Sequence, residues 1–255
     1  MSTTRQNGSL YTNIQNKIAT IEFGHPASNS FPSELLDRLT KELISVGKNE
    51  EVSIIILKSE GEKAFCAGAS FDELVAISSL EDGKQFFSGF ANVLNAMRTC
   101  GKLIIGRVQG KTVGGGVGLA AACDYVLATE SAAIKLSEFT IGIGPFVIEP
   151  AVTRKIGVSG TAELTLDATS WKNAYWAKEK GLYAKVFESQ KELDEEVELL
   201  SEKLASYNPV ALSEMKKALW QGTENWTDLL AERAAVSGEL VLSEFTKQAL
   251  SKFKK

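Results

Sequence analysis

The segment from Thr112 to Glu130, TVGGGVGLAAACDYVLATE, constrains the fold more than any other part of the sequence. Three consecutive glycines precede a run of small apolar residues that suits a helix, and the apolar pattern of a strand follows. A helix of small residues fits directly against a sheet, because its side chains leave little between the two backbones. The segment therefore predicts a layered α/β core with a glycine loop at the start of a buried helix.

The rest of the pattern predicts a core followed by a helical region. Apolar runs predict strands in the segments KIATIEFG, VSIIILKSE, LIIGRVQGK and YVLATES. An amphipathic helix is predicted between the first two strands, over PSELLDRLTKELISVGKN. After KVFES, three helices are predicted over KELDEEVELLSEKLASYNP, PVALSEMKKALWQG and WTDLLAERAAVSGELVLSEFTKQALSKF. We predict a core over residues 1–195 and a C-terminal helical region over residues 196–255.

Composition excludes several classes of partner. The chain of 255 residues has a net charge of −4 and no basic face, so no nucleic-acid partner is expected. Its N-terminus is polar, and the uncharged run from Thr112 to Cys123 is too short and too rich in glycine to span a bilayer. We therefore expect a cytoplasmic protein with no membrane partner.

The reactive side chains narrow the chemistry further. Cys66, Cys100 and Cys123 are odd in number and form no Cys-x-x-Cys pair, which favours buried reduced thiols. His25 is the only histidine, so a histidine-rich metal site is excluded and no metal is expected. No dinucleotide-binding or P-loop motif is present. Carboxylates and backbone amides remain as the groups available for catalysis.

The glycine triplet supplies such amides. The first N–H groups of a helix have no intrahelical partner, and glycines before them let another molecule approach the backbone closely. These donors can form an oxyanion hole for a carbonyl oxygen that gains negative charge. Taken alone, the segment is equally a turn that lets helix and sheet pack tightly. A second loop of small residues after a buried strand, Glu62 to Leu74 (EKAFCAGASFDEL), favours the oxyanion hole.

These two loops, with SEFTIGIGP and SEFTKQALSKFKK, resemble segments of the crotonase superfamily, the enoyl-CoA hydratase/isomerase family. Members of that family carry an AF-x-AG-A-D loop and a GGG-x-x-L-A-x-x-C-D segment. The resemblance covers nearly the whole chain and implies a crotonase-like β-β-α spiral core, residues 1–195, that holds an acyl-CoA site. It also implies a C-terminal helical trimerisation region, and hence a homotrimer or a dimer of trimers. The substrate would be an acyl-CoA thioester, and no separate cofactor is expected.

The resemblance also assigns site residues. It implies that the backbone N–H groups of Ala69 and Gly115 form the oxyanion hole for the thioester oxygen. Ser70 replaces the usual aspartate of the first motif, and serine caps a helix nearly as well. The residues implied to bind the rest of the substrate are Lys63, Ala64, Phe65, Ala67, Ala69, Gly114, Gly118, Phe146, Phe253 and Lys254.

The catalytic carboxylates depart from the family pattern. Hydratases of the family use two glutamates, but the first of these positions is Gly118 here and only the second, Glu138, remains. Burial beside FTIGIGPFVI would raise the pKa of Glu138 into a range useful for proton transfer. Glu149 stands in a region that normally lines the acyl pocket, so it is a second catalytic candidate. Alternatively, Glu138 is a surface residue and Glu149 stabilises the start of a helix.

A single carboxylate suits proton transfer better than hydration. The arrangement resembles that of the family's enoyl-CoA isomerases, in which one glutamate moves a proton between C2 and C4 of an enolate. The alternative is an enoyl-CoA hydratase, of which a 3-methylglutaconyl-CoA hydratase is one type, using Glu138 with Glu149. A third alternative is a CoA-binding homologue without catalytic activity.

Overall fold

Residues 7–252 are described by the computed structural model and form a mixed α/β structure. The strands are β1 (Ser9–Gln15), β2 (Ile18–Gly24), β3 (Ile54–Ser59), β4 (Ala64–Cys66), β5 (Leu103–Val108), β6 (Lys111–Val113), β7 (Tyr125–Thr129), β8 (Ile134–Lys135) and β9 (Lys185–Phe187). A larger sheet has the order β1-β2-β3-β5-β7-β9, and a smaller one has the order β4-β6-β8. Only the β1–β2 pair is antiparallel among the strands of the described residues.

Helices cover both faces of the larger sheet. They are α1 (Ser33–Lys48), α2 (Phe71–Ala76), α3 (Leu80–Thr99), α4 (Gly115–Ala122), α5 (Glu149–Leu166, broken at Gly157), α6 (Ala174–Glu179), α7 (Gln190–Ala205), α8 (Pro209–Leu219), α9 (Trp226–Leu240) and α10 (Glu244–Ser251). A 3₁₀ turn spans Glu138–Ile141. Between residues 7 and 252, no helix has the length and apolar character needed to cross a bilayer.

The central strand β3 is buried on both faces, as its uninterrupted β-branched sequence predicts. Ile55 and Leu57 belong to the main core, which also contains the apolar face of α1. Ile54 and Ile56 belong to a second cluster with Leu193 of α7. The predicted strands β2, β5 and β7 and helices α1 and α4 are confirmed. The three cysteines are buried and free, as predicted.

The N-terminal strand β1 was not predicted, because its sequence is mostly polar. It pairs with β2 through a two-residue turn in which Asn16 and Lys17 have φ angles of 51° and 64°. Positive φ at both positions is the geometry of a type I′ hairpin turn, which asparagine tolerates well. The hairpin turn therefore determines this edge of the sheet.

The C-terminal segment differs from its prediction in one respect. The third predicted helix is two helices, α9 and α10, and Ser243 begins the second by accepting a hydrogen bond from the backbone N–H of Thr246. The predicted division at residues 195/196 falls inside α7. The division into two regions and the trimer implied by the resemblance stay predictions.

The C-terminal region packs directly on the core through α3 and α9. The two helices cross at Gly83 and Gly238, where a Cβ on Gly83 would lie 2.8 Å from the carbonyl oxygen of Gly238. A Cβ on Gly238 would lie 2.7 Å from the backbone nitrogen of Lys84. The two backbones are therefore in contact, and no side chain separates them at the crossing.

A buried ionic cluster joins α8 to the sheet. Asp124, directly before β7, accepts hydrogen bonds from the backbone N–H of Ile104, from Nζ of Lys216 and from Nε1 of Trp220, each at 2.7 Å. The Asp124 and Lys216 side chains are only 5% and 1% exposed. A carboxylate so deeply buried is stable only while its hydrogen-bond and charge partners are in place.

We expect Lys216→Met to lower the free energy of unfolding by about 3 to 5 kcal/mol, because it leaves the Asp124 carboxylate buried without its counter-ion. Lys217→Met is the matched control, since Lys217 pairs with Glu214 on the exposed side of the same helix. Urea denaturation at pH 7 measures both. Equal, small losses in the two variants would contradict the prediction.

Candidate active site

A cavity of about 170 Å³ lies where the start of α4 meets the loop after β4. The helices α2 and α3, the 3₁₀ turn and the segment that follows it complete its wall. The polar side chains of the wall are Ser137, Glu138 and Ser237. The aromatic side chains of the wall are Phe71, Phe86, Phe87, Phe90 and Phe146. Glu138 is the only ionisable side chain among the described residues that line this cavity.

The loop after β4 presents one of the two predicted amides. The backbone N–H of Phe31 donates to the carbonyl of Gly68, and the N–H of Ser70 donates to the carbonyl of Phe31, both at 2.8 Å. These bonds fix the loop and leave the N–H of Ala69, between them, without a partner among the described residues. Ser70 caps α2 by accepting a hydrogen bond from the N–H of Glu73, as predicted.

The glycine triplet presents the other amide. Gly114 has φ 54° and ψ −122°, a conformation that a residue with a Cβ adopts only with strain. Its N–H donates to the carbonyl of Lys135 at 3.0 Å, which ties the glycine turn to β8. Gly115 is the first residue of α4, so its N–H has no intrahelical acceptor. Ala69 and Gly115 line the same cavity, and a Cβ on Gly68 would lie 3.5 Å from the Gly115 nitrogen.

Glu138 directs its carboxylate to this glycine turn. Its Oε1 lies 3.0 Å from the point that a Cβ on Gly114 would occupy. Its Oε2 is buried and has no hydrogen-bond partner among the described residues, although the residue as a whole is partly exposed. Burial raises the pKa of Glu138 to about 7, against a smaller opposing influence of the backbone N–H groups of Glu138 and Ser137. The side chain is therefore able to hold or release a proton near neutral pH.

Gly118 lies under Ile148 rather than at the cavity surface. A Cβ added to Gly118 would collide with Cγ2 of Ile148, and Ile148 itself lines the cavity. A glutamate at position 118 would need the space that Ile148 occupies. The structure therefore leaves no room for a carboxylate on this part of α4.

Glu149 does not join Glu138. Its Oε1 accepts a hydrogen bond from the hydroxyl of Thr153 at 2.6 Å, and its Oε2 lies 4.0 Å from Arg233. It is the first residue of α5 and is not among the cavity-lining residues. These contacts fit the alternative interpretation, in which Glu149 stabilises the helix start.

Only some of the other predicted binding residues line the cavity. Ala67, Gly114 and Phe146 line the cavity, whereas the Phe65 side chain is fully buried in the core, 5.4 Å from the ring of Phe23. Lys63 is exposed and Ala64 is partly buried at the start of β4. Phe253 and Lys254 lie outside the described residues. Their assigned roles stay predictions.

The sequence analysis missed most of the apolar wall. Phe86, Phe87 and Phe90 come from α3, whose helical spacing of aromatic residues is a usable signal. Ile148 and Ser237 reach the cavity from distant segments, and no local pattern marks them. In the described part of the chain, no cluster of three or more His, Cys, Asp or Glu residues could hold a metal ion.

Comparisons with known proteins identify the family of this chain. The sequence model of the enoyl-CoA hydratase/isomerase family matches residues 13–253. A peroxisomal Δ(3,5)-Δ(2,4)-dienoyl-CoA isomerase from Arabidopsis thaliana is 29% identical over 211 residues, which cover 77% of this chain and 74% of that protein. A short-chain-enoyl-CoA hydratase from Clostridium acetobutylicum is 29% identical over 242 residues, which cover 94% and 92%.

The fold is also similar to that of solved structures. The crystal structure of an enoyl-CoA hydratase from Bacillus halodurans matches with a TM-score of 0.88, covering 95% of this chain and 99% of that one. The two sequences are 22% identical, so this likeness concerns the fold. The fold that the resemblance implied is confirmed.

We expect the buried Glu138 carboxyl to make stability depend on pH. Its folded-state pKa of about 7 lies above the unfolded value of 4.5, so the folded state binds the proton more tightly. This contribution is complete below pH 4.5 and is lost as the pH rises to 7. Glu138→Gln lacks the carboxyl and therefore lacks this dependence on pH. Between pH 5 and pH 8, its free energy of unfolding should rise relative to that of the wild type by up to about 3 kcal/mol.

Urea denaturation of both proteins at pH 5 and pH 8 measures this difference. Ser137→Ala is the control, because it changes the neighbouring side chain and removes no ionisable group. It should keep the wild-type dependence on pH. Parallel stability profiles for the wild type and Glu138→Gln would contradict the assignment of a raised pKa.

Proposed function

The chain belongs to the enoyl-CoA hydratase/isomerase family, and from this premise we propose that it is an enoyl-CoA isomerase with Glu138 as its single acid–base group. In the proposed complex, the thioester oxygen accepts hydrogen bonds from the N–H groups of Ala69 and Gly115. Both amides line the cavity that also receives the Glu138 carboxylate. The acyl group occupies the apolar part of this cavity.

The proposed reaction moves one proton and adds no water. Glu138 takes a proton from C2 of a 3-enoyl thioester, and the electron pair of that C–H bond passes into a dienolate. The two amides stabilise the negative charge on the thioester oxygen. The Glu138 carboxyl then returns the proton to C4, so that the double bond lies between C2 and C3. A pKa near 7 suits both steps, because the group must accept and donate the same proton.

The position of Ile148 carries this proposal. Ile148 covers Gly118, where the hydratases that the sequence resembles place a glutamate, and Glu138 is left as the only ionisable group among the described cavity-lining residues. Orienting a water molecule for addition to the double bond calls for a second acid–base group. The apolar surroundings of Glu138 favour proton transfer within the substrate.

A hydratase is the second candidate, because the relative from Clostridium acetobutylicum carries that name and covers 94% of this chain. Hydration would require a second carboxylate, and Glu149 is the residue that the sequence offers. Its bond to Thr153 and its position outside the cavity wall disfavour this role. A homologue that binds CoA without turnover is the third outcome.

Substituting the two carboxylates separately distinguishes these functions. We expect Glu138→Gln to abolish most isomerisation of 3-hexenoyl-CoA, because glutamine keeps the shape of the side chain and cannot accept a proton. Glu149→Gln should have a much smaller effect. In deuterated water, wild-type enzyme should exchange protons at C2 or C4 of the substrate, and Glu138→Gln should not. Absorbance assays and mass spectrometry follow both reactions.

The opposite results identify the other candidates. If both substitutions are equally damaging and the product contains an oxygen atom from solvent, the enzyme is a hydratase. If neither substitution matters and the wild type binds acyl-CoA without turnover, the catalytic assignment is wrong.

The predicted role of the Gly115 amide needs a pair of variants. A Cβ at this position would collide with the ring of Phe90, so any substitution disturbs the cavity. Gly115→Ala adds the Cβ and keeps the N–H, whereas Gly115→Pro also removes the N–H at a helix position that accepts proline. We expect the proline variant to turn over the substrate 10²–10³ times more slowly than the alanine variant, on the order of the effect of one lost oxyanion donor. Equal kcat in two folded variants would exclude the Gly115 N–H as a donor of the oxyanion hole.

A further inference from the structure

The segment between β2 and α1 supports the loop that carries Ala69. The backbone N–H of Ala67 donates to the carbonyl of Ser28 at 3.1 Å, three residues before the bonds of Phe31 described above. Phe31 and Ala69 thereby form an isolated parallel β-bridge. We refer to residues 67–70 as the amide loop. Its position depends on the backbone to which it is hydrogen-bonded.

Two residues of this supporting segment have an uncommon backbone conformation. Ser28 and Asn29 have φ angles of 54° and 57°, in the left-handed region that residues with a Cβ rarely adopt and that asparagine tolerates better than most. At Asn16 and Lys17, positive φ closes a hairpin turn, whereas Ser28 and Asn29 join a strand to a helix. Such a conformation persists only where surrounding contacts hold it in place.

The Asn29 side chain provides these contacts. It is 7% exposed, and its Nδ2 donates to the carbonyls of Glu60 at 2.7 Å and Ala64 at 2.9 Å. Its Oδ1 accepts a hydrogen bond from the backbone N–H of His25 at 3.0 Å. Both amide hydrogens are used, so one side chain joins the segment after β2 to the turn before β4 and to the start of β4.

A second buried amide, that of Gln109, holds the same strand. Its Nε2 donates to the carbonyls of Ala64 and Gly61, both at 3.1 Å, and to the hydroxyl of Ser59 at 2.9 Å. These bonds fix the start of β4 alone. Asn29 differs from Gln109 because its own backbone belongs to the segment that the amide loop bonds to. It therefore fixes both sides of that contact.

We propose that Asn29 is a positioning residue that directs the Ala69 N–H toward the thioester oxygen. The inference rests on the proposed function for the role of that amide. Asn29 acts through the backbone, since it is not among the described residues that line the cavity. A hydrogen bond weakens steeply when its donor turns away from the acceptor, so a small rotation of the amide loop lowers the stabilisation of the enolate.

Asn29→Gly tests this role, because glycine adopts the same φ and removes all three side-chain hydrogen bonds. For 3-hexenoyl-CoA, we expect kcat to fall about tenfold, less than on loss of a whole oxyanion donor, and KM to stay within about twofold. Asn29→Asp should lower kcat at least as much. Its carboxylate keeps the shape of the side chain but places an oxygen against the carbonyls of Glu60 and Ala64.

Two controls separate this effect from changes in flexibility and stability. Ser28→Gly introduces a glycine at the neighbouring position of positive φ and leaves the side-chain bonds of Asn29 in place. Lys216→Met lowers the stability of the fold at the buried Asp124 pair, and neither residue lines the cavity. Both control proteins, assayed in the folded state, should keep the wild-type kcat.

An absorbance measurement without turnover reports on the amide directly. The double bonds of 2,4-hexadienoyl-CoA are conjugated with the thioester carbonyl, so hydrogen bonds to its oxygen move the absorption to longer wavelength. We expect this shift on binding to the wild type and to both controls, and a smaller shift with saturating Asn29→Gly protein. A loss of stability alone would leave the shift of the folded protein unchanged.

The outcomes distinguish this proposal from the proposed function. If the wild type does not isomerise 3-hexenoyl-CoA but Asn29→Gly still reduces the absorption shift, the positioning role stands and the isomerase proposal fails. If isomerisation is normal and Asn29→Gly keeps the wild-type kcat and shift, the positioning role is wrong. An equal loss of kcat in either control, a wild type without the shift, or failure of both Asn29 variants to fold would also overturn it.

Discussion

The candidate site depends on a direct contact between two backbones. A Cβ on Gly116 would lie 2.6 Å from the carbonyl oxygen of Cys66, and one on Gly68 would lie 3.2 Å from that of Val113. Because no side chain stands between the loop after β4 and the start of α4, Ala69 and Gly115 can face one cavity. Larger residues at these glycines would push the two loops apart and separate the amides that the proposed mechanism needs.

The chemistry of the site follows from what surrounds these amides. Phenylalanines and Ile148 line the cavity beside Glu138, and burial raises the pKa of its carboxyl to about 7. Glu138 is the only ionisable side chain among the described residues that line the cavity, so the rest of the wall favours an apolar ligand group.

Sequence patterns predicted the elements whose own run of residues shows that they are buried. The β-branched run of β3 and the small residues of α4 predicted a buried strand and a buried helix. The two glycine-containing loops predicted Ala69 and Gly115, which line one cavity. The polar strand β1 was not predicted, because a hairpin turn and pairing with β2, rather than its own hydrophobicity, hold it in the sheet. Ile148 packs over Gly118, thirty positions away in the sequence. The hydrogen bond from Thr153 holds the Glu149 carboxylate away from the cavity wall. Both contacts depend on tertiary packing, which sequence periodicity does not predict.

The crossing of α3 and α9 at Gly83 and Gly238 limits how this cavity can diverge. Both helices contribute to its wall, α3 through its phenylalanines and α9 through Ser237. Their separation is already at its minimum, since backbone touches backbone, and any larger residue at the crossing carries a cost in stability. The cavity-lining residues from Gly144 to Ile148 belong to neither of these helices, so a substitution there changes the cavity without placing a side chain in the crossing.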